Sequence, residues 1–215
     1  MKAGQVLPYV LATFALGALV FMGGSSSTGD RIASAAEAAV GMGATQDAQA
    51  FGDWLGGPGE TENMKLSMAS APQSSTCGLA VRAEWREAGV DDPYLQPPYL
   101  PRIGMVITDL IDFAKQKGAW VLASPDALPP KRGAMVAVGP QGDITHVYTV
   151  TGVTQNADGT YTITSVDGGM TDQYGRQMVG THTRTWTTQG NLIVDSPNGS
   201  IARVVYGWTD PDLLA

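Results

Sequence analysis

Cysteine is almost missing from this chain of 215 residues: Cys77 is the only one. A single thiol can form no intrachain disulfide, and it rules out a Cys-rich structural zinc site. Cations are also scarce, 13 Lys and Arg against 20 Asp and Glu, for a formal net charge of −7. That balance opposes the phosphate neutralisation on which nucleic-acid binding depends, so nucleic acid is set aside as a partner. The chain has no long charged run, no Gln/Asn-rich tract and no internal repeat. With 43 % hydrophobic residues it reads as one globular domain with spare sequence at an end. Cys77 is left to be explained by burial, as a small apolar residue, or by reactivity.

The N-terminus stands apart. Val6 to Met22 (VLPYVLATFALGALVFM) is almost wholly apolar, and Lys2 is the one charged side chain before it. The run resembles a secretory signal or a membrane anchor. An A-x-A pattern at Ala33-Ser34-Ala35 offers a cleavage site, and no cysteine stands where a lipoprotein would need one. Residues 1–24 are therefore expected to be a signal peptide or anchor, with residues 6–22 available for anchoring, and the chain to be exported to the periplasm, envelope or cell exterior. Residues 25–71, rich in Gly, Ala and Ser, read as a linker with transient helices such as Arg31 to Val40. Phe51, Trp54 and Leu55 could dock as one apolar patch on the domain C-terminal to them.

From Pro72 the composition changes, and residues 72–215 read as the working domain. Cys77 to Ala88 (CGLAVRAEWREA) puts Leu79, Ala80, Ala83 and Ala88 at helical spacing, with Ser74, Ser75 and Thr76 as N-cap candidates and Gly89 as a stop. A second helix is expected over Met105 to Lys117, burying Val106, Leu110, Ile111 and Phe113. Beyond Trp120 the period becomes two. Strands are expected at Ala134 to Val138, Thr145 to Thr154, Tyr161 to Val166, His182 to Thr187 and Ala202 to Trp208. Helices first and an antiparallel sheet of about five strands afterwards make an α+β arrangement.

A thiol at a helix N-terminus is acidified by unpaired backbone N–H groups and by the positive end of the dipole. His146 opens the strand after the Pro140 to Asp143 turn, and histidine is the usual base for such a thiol. If the strands on either side of Asn156-Ala157-Asp158-Gly159 form a hairpin, Asp167 returns beside His146 and can orient its imidazole. An Asp-Gly turn is the plainer explanation of Asp167. The other histidine, His182, lies in GTHTRTW with nothing that turns it toward a cysteine, and reads as a surface or strand residue.

The segments STCGLAVRAEWREAGV, LPPKRGAMVAV, ITHVYTVTGV, DGTYTITSVDGG and RVVYGWTD together resemble the papain-like cysteine peptidoglycan hydrolases of the CHAP and NlpC/P60 type, over roughly residues 72 to 212. The resemblance implies a papain-like fold with N-terminal helices packed on the sheet. It also implies amidase or endopeptidase activity on peptidoglycan stem peptides or cross-bridges, with no metal or cofactor. Cys77 would be the nucleophile, His146 the base and Asp167 the orienting acid. Where such domains commonly carry Asn, two residues after the acid, this chain has Gly169. Thr76 stands before the nucleophile, where Gln is frequent, and Gln73 is the substitute oxyanion donor. Two further readings are a hydrolase-like module without catalysis, serving a wall-binding or structural role in an envelope or virion assembly, and an enzyme acting on another amide substrate.

Overall fold

The structure is a computed structural model and describes residues 26–58, 61–70, 73–90, 106–197 and 202–215. Among these described residues five helices come first: α1 (Thr28–Ala39), α2 (Ala44–Gly56), α3 (Glu62–Ala69), α4 (Gln73–Glu87) and α5 (Val106–Gln116). Seven strands come after them: β1 (Trp120–Leu122), β2 (Met135–Gly139), β3 (His146–Gln155), β4 (Tyr161–Thr171), β5 (Gln177–Gln189), β6 (Leu192–Pro197) and β7 (Arg203–Thr209). The chain ends on a short 3₁₀ turn, Pro211–Leu213.

The sheet runs β1-β7-β2-β3-β4-β5-β6, its neighbouring strands are antiparallel, and β6 also pairs with β7. That last pairing closes six strands, β2 to β7, into a barrel. β1 lies outside it, on the half of β7 from Gly207 to Thr209, while β6 takes Arg203 and Val204 on the other half. The expected papain-like layer of helices on a sheet of about five strands is therefore corrected: among the described residues the fold is a closed six-stranded barrel with one extra strand and five helices. The physical cause is β6. Its Leu192 to Pro197 pairs with Gln189 back to Arg184 of β5, and through Val194 and Asp195 it meets β7, so the open edge disappears.

Alternation on β2 shows how the barrel makes two cores. Met135 and Ala137 face the helices, whereas Ala134, Val136 and Val138 fill the barrel with Tyr148, Val150, Ile163, Trp186, Val205 and Trp208. Both faces are buried, which is why the strand is an almost unbroken apolar run. On the outer face α4 is the central helix: every residue from Thr76 to Trp85 is buried. Leu79, Ala80, Ala83 and Ala88 are buried as their spacing requires, and so are Val106, Leu110, Ile111 and Phe113 of α5.

The segment that reads as a linker is part of this body. Ile32, Ala36 and Ala39 of α1 and Phe51 and Leu55 of α2 share one core with Leu79, Val81 and Trp85 of α4. Arg31 donates to the Ala88 carbonyl, and Arg132 pairs with Glu37 at 2.7 Å. Small side chains hide this from a hydropathy reading, since an Ala face packs closely without looking strongly apolar. α1 is capped by Ser27, which accepts from the Asp30 N–H. α2 bends at Asp47, whose carboxylate accepts from the Ala50 N–H. The Ala33-Ser34-Ala35 pattern lies within α1, so a cut there would remove part of a core helix. Residues 1–24, including the apolar run, lie outside the described residues, and among those described no helix is long and apolar enough to cross a membrane.

Candidate active site

The hairpin of β3 and β4 forms around the Asn156 to Thr160 turn, with Gln155 opposite Tyr161 and Thr149 opposite Val166. It brings the start of β3 and the far end of β4 to the same mouth of the barrel. There His146 Nε2 lies 2.6 Å from Asp167 Oδ2. The Cys77 side chain is hydrogen-bonded to His146. Nε2 being occupied by the carboxylate, Nδ1 is the ring nitrogen left for the thiol. The structure thus brings Cys77, His146 and Asp167 together, from a helix and two strands.

Asp167 does not stand in a turn. It belongs to β4, opposite Gly180, and is followed by a bulge at Gly168 and Gly169 before pairing resumes at Met170. Gly169 has φ +80°, a conformation open to glycine. Gly168 is where the strand meets α4: a Cβ there would lie 2.4 Å from the Ala80 Cβ and 2.8 Å from the Thr76 carbonyl oxygen. The bulge lets the helix settle against the strand beside Cys77, so the Asp-Gly-Gly sequence positions both partners of the histidine.

α4 begins at Gln73, four residues earlier than the sequence suggests, and Cys77 is its fifth residue. Dipole effects fade beyond the first turn, so the helix terminus is not what acidifies the thiol. Burial alone would raise the Cys77 pKa. The hydrogen bond and charge of His146, with backbone N–H groups of Val147 and Gly78, bring it below its ordinary value. Burial likewise opposes a charged imidazole, yet hydrogen bonds and charge from Asp167 and Cys77 raise His146 to about 9. Both shifts act in one direction, toward a thiolate paired with an imidazolium. Gln73 stands one turn before Cys77, on the same side of α4; its side chain lies outside the described residues.

Behind Asp167 is a group of residues that sequence reasoning misses. Arg184 of β5 donates to Asp167 Oδ2 and, at 2.8 Å, to Asp195 Oδ2, and its Nε donates to Ser165 Oγ at 2.9 Å. The guanidinium lies 4.0 Å from the centre of the Tyr148 ring. Trp186 Nε1 donates to Asp195 Oδ1 at 3.0 Å. Burial would raise Asp167; the charge of Arg184 and the hydrogen bond of His146 hold it at about 2 instead. With each group ionised, charge alternates in sign along the string of Cys77, His146, Asp167, Arg184 and Asp195. Arg184 escapes notice because THTRTW alternates like an exposed strand face, and nothing local says that an arginine there meets carboxylates from β4 and β6.

Two remaining groups fall outside this string. Glu84 of α4, fully buried, takes a hydrogen bond from Thr149, leaves Oε1 unpartnered, and is raised by burial to about 8. His182 pairs across β5 with Ser165 of β4 and is lowered by burial. The thiol of Cys77 has no exposed surface, whereas the His146 side chain is 18 % exposed, so the imidazole edge is where this site reaches solvent. No group of metal-ligating side chains occurs among the described residues.

Comparison of the chain with family models, curated proteins and solved structures finds no match.

Proposed function

We propose that the protein is a cysteine hydrolase that cleaves a peptide or amide bond of bacterial peptidoglycan, as an amidase or endopeptidase. The observation that carries the reading is the contact of His146 with Asp167 at 2.6 Å on one side and with the Cys77 thiol on the other. A polarised thiol, a base and an orienting carboxylate are what acyl transfer needs. The wall as substrate rests on the local sequence resemblance to the CHAP and NlpC/P60 enzymes; export rests on the Val6 to Met22 run.

In this mechanism the Cys77 thiolate attacks the carbonyl carbon, forming the C–S bond and a tetrahedral oxyanion. Gln73, a turn before the nucleophile, is assigned to stabilise that oxyanion. Imidazolium Nδ1 gives its proton to the leaving nitrogen as the C–N bond breaks, leaving a thioester. Water then attacks the thioester while His146 takes a proton, the C–S bond breaks, and acid product and thiolate are released. Asp167 keeps the ring in one tautomer and orientation throughout. The test is muropeptide analysis of purified sacculi digested by the full chain. New amino and carboxyl ends are expected with wild type and none with Cys77→Ala; equal release by both would overturn the reading.

One observation favours a second reading, a hydrolase-like module that binds wall peptides without cutting them: the thiol is fully buried. That module would react with iodoacetamide no faster than an ordinary thiol at neutral pH. The hydrolase reading requires a faster reaction that disappears in His146→Ala.

A further inference from the structure

The β4–β5 hairpin opens beside a hollow of about 450 Å³ lined by Ala44 and Ala48 of α2, Ala69 at the end of α3, and Arg176 and Gln177. Its volume is of the order at which pockets hold small ligands. Two side chains on its wall can take up groups that a peptide provides. Gln177 is 8 % exposed and its Oε1 accepts no hydrogen bond. A buried amide oxygen without a donor is a standing desolvation penalty that an incoming N–H would relieve. Arg176 is exposed; its charge helps to lower the Asp172 carboxyl, but no carboxylate among the described residues lies within 4.0 Å of its guanidinium, so the cation is left open to a closer pair. The nearby Asp172 has its Oδ1 held by the Tyr174 and Arg176 N–H groups of the turn.

The position of the hollow relates it to the thiol. His146 opens β3, Thr171 closes β4 and Gln177, opposite Thr171, opens β5, so all three share one mouth of the barrel. Along β5, Gln177 precedes Gly180, the partner of Asp167, by three residues. At about 3.3 Å per residue that is roughly 10 Å, a length that an extended peptide of about three residues covers.

We propose that this hollow is a subsite for the peptide on which Cys77 acts, with Gln177 Oε1 accepting a backbone N–H and Arg176 pairing with a free carboxylate of the chain. The inference rests on the reading of Cys77 as the nucleophile of a peptide or amide hydrolase, and it adds the class of substrate: a peptide carrying a free carboxylate near the scissile bond. Fork geometry makes an arginine a better reader of a carboxylate than of a carboxamide.

The test is calorimetric titration of the full chain carrying Cys77→Ala with trialanine and with trialanine amide. The free acid is expected to bind roughly tenfold more tightly, as a charge-assisted pair requires. Adding Arg176→Ala abolishes that preference, and adding Gln177→Leu weakens both probes without lowering Tm. Equal affinity for the two probes, no binding of either, or a preference that survives Arg176→Ala overturns the subsite. Because these titrations need no turnover, the two ideas fail separately. Binding as expected, with sacculi left intact by wild type, removes only the hydrolase reading; sacculus cleavage with no preference for the acid removes only the subsite.

Discussion

Asp167 and Arg184 form a buried ion pair directly behind His146, each with its side chain 2 % exposed. A buried carboxylate that must serve an imidazole has to stay ionised, and the guanidinium is what makes that favourable here. Replacing Arg184 by Leu leaves Asp167 and Asp195 buried without their shared cation. The expected loss of stability is about 3–5 kcal/mol, as for other broken buried pairs. Arg184→Lys keeps the charge but not the fork, and falls between the two. Chemical denaturation of the three proteins measures this; an Arg184→Leu variant as stable as wild type would show that the pair contributes nothing net.

The pH dependence of the thiol is set by His146 at about 9 and a Cys77 pKa lowered from its ordinary value. Iodoacetamide alkylation is expected to reach its plateau below the pH at which an ordinary thiol ionises. Hydrolysis, which also needs the imidazolium proton, falls as pH rises through about 9. For stability the histidine acts in the same direction: a raised folded pKa contributes fully below the unfolded value near 6.5 and is lost on passing about 9. Asp167, lowered to about 2, contributes above its ordinary 3.8 and is lost as pH falls through about 2. In Asp167→Asn the alkylation profile should move toward that of an ordinary thiol; an unmoved profile would remove Asp167 from the site.

Glu84 gives the opposite kind of prediction. Its carboxyl, raised by burial from 4.5 to about 8, has a stability contribution that is complete below 4.5 and lost as pH rises through about 8. Glu84→Gln keeps the shape without the ionisable group. It is expected to match wild type near pH 4 and to exceed it by a few kcal/mol near pH 8, since each tenfold change in proton affinity is worth about 1.4 kcal/mol. Denaturant midpoints at the two pH values decide it, and a constant difference would mean that Glu84 is not buried as a neutral acid.

Gly168→Ala tests the contact of β4 with α4. A methyl group 2.4 Å from the Ala80 Cβ must displace strand or helix. Overpacking of this kind costs about 1–3 kcal/mol. It should also slow alkylation of Cys77 far more than its effect on Tm suggests, because the helix that moves carries the thiol. A variant with reactivity intact would show that the site tolerates separation of helix and strand.

Much of this arrangement is readable from local pattern. The alternation on either side of Asn156 to Gly159 dictates the β3–β4 hairpin, and once it forms, Asp167 must return to the level of His146. The α5 face is set by the spacing of Val106, Leu110, Ile111 and Phe113. What local pattern hides is whatever depends on distant partners. β6 is six residues long and holds Asp195 and Pro197. The segment shows no apolar alternation that would mark a strand before β5 and β7 flank it, so barrel closure is invisible. α1 packs through Ala33, Ala36 and Ala39, whose weak hydropathy looks like a linker. Capping preference at Ser74, Ser75 and Thr76 puts the start of α4 there, but the helix runs through them.

A nucleophilic Cys77 must at some point be bonded to its substrate, and intact-protein mass spectrometry of the full chain, quenched in acid during digestion of sacculus fragments, detects that bond directly. Wild-type protein is expected to carry an added acyl mass that maps to Cys77 and that Cys77→Ala never acquires. Cleavage of the same fragments with no adduct at Cys77, or by Cys77→Ala at the wild-type rate, would contradict covalent catalysis by this thiol.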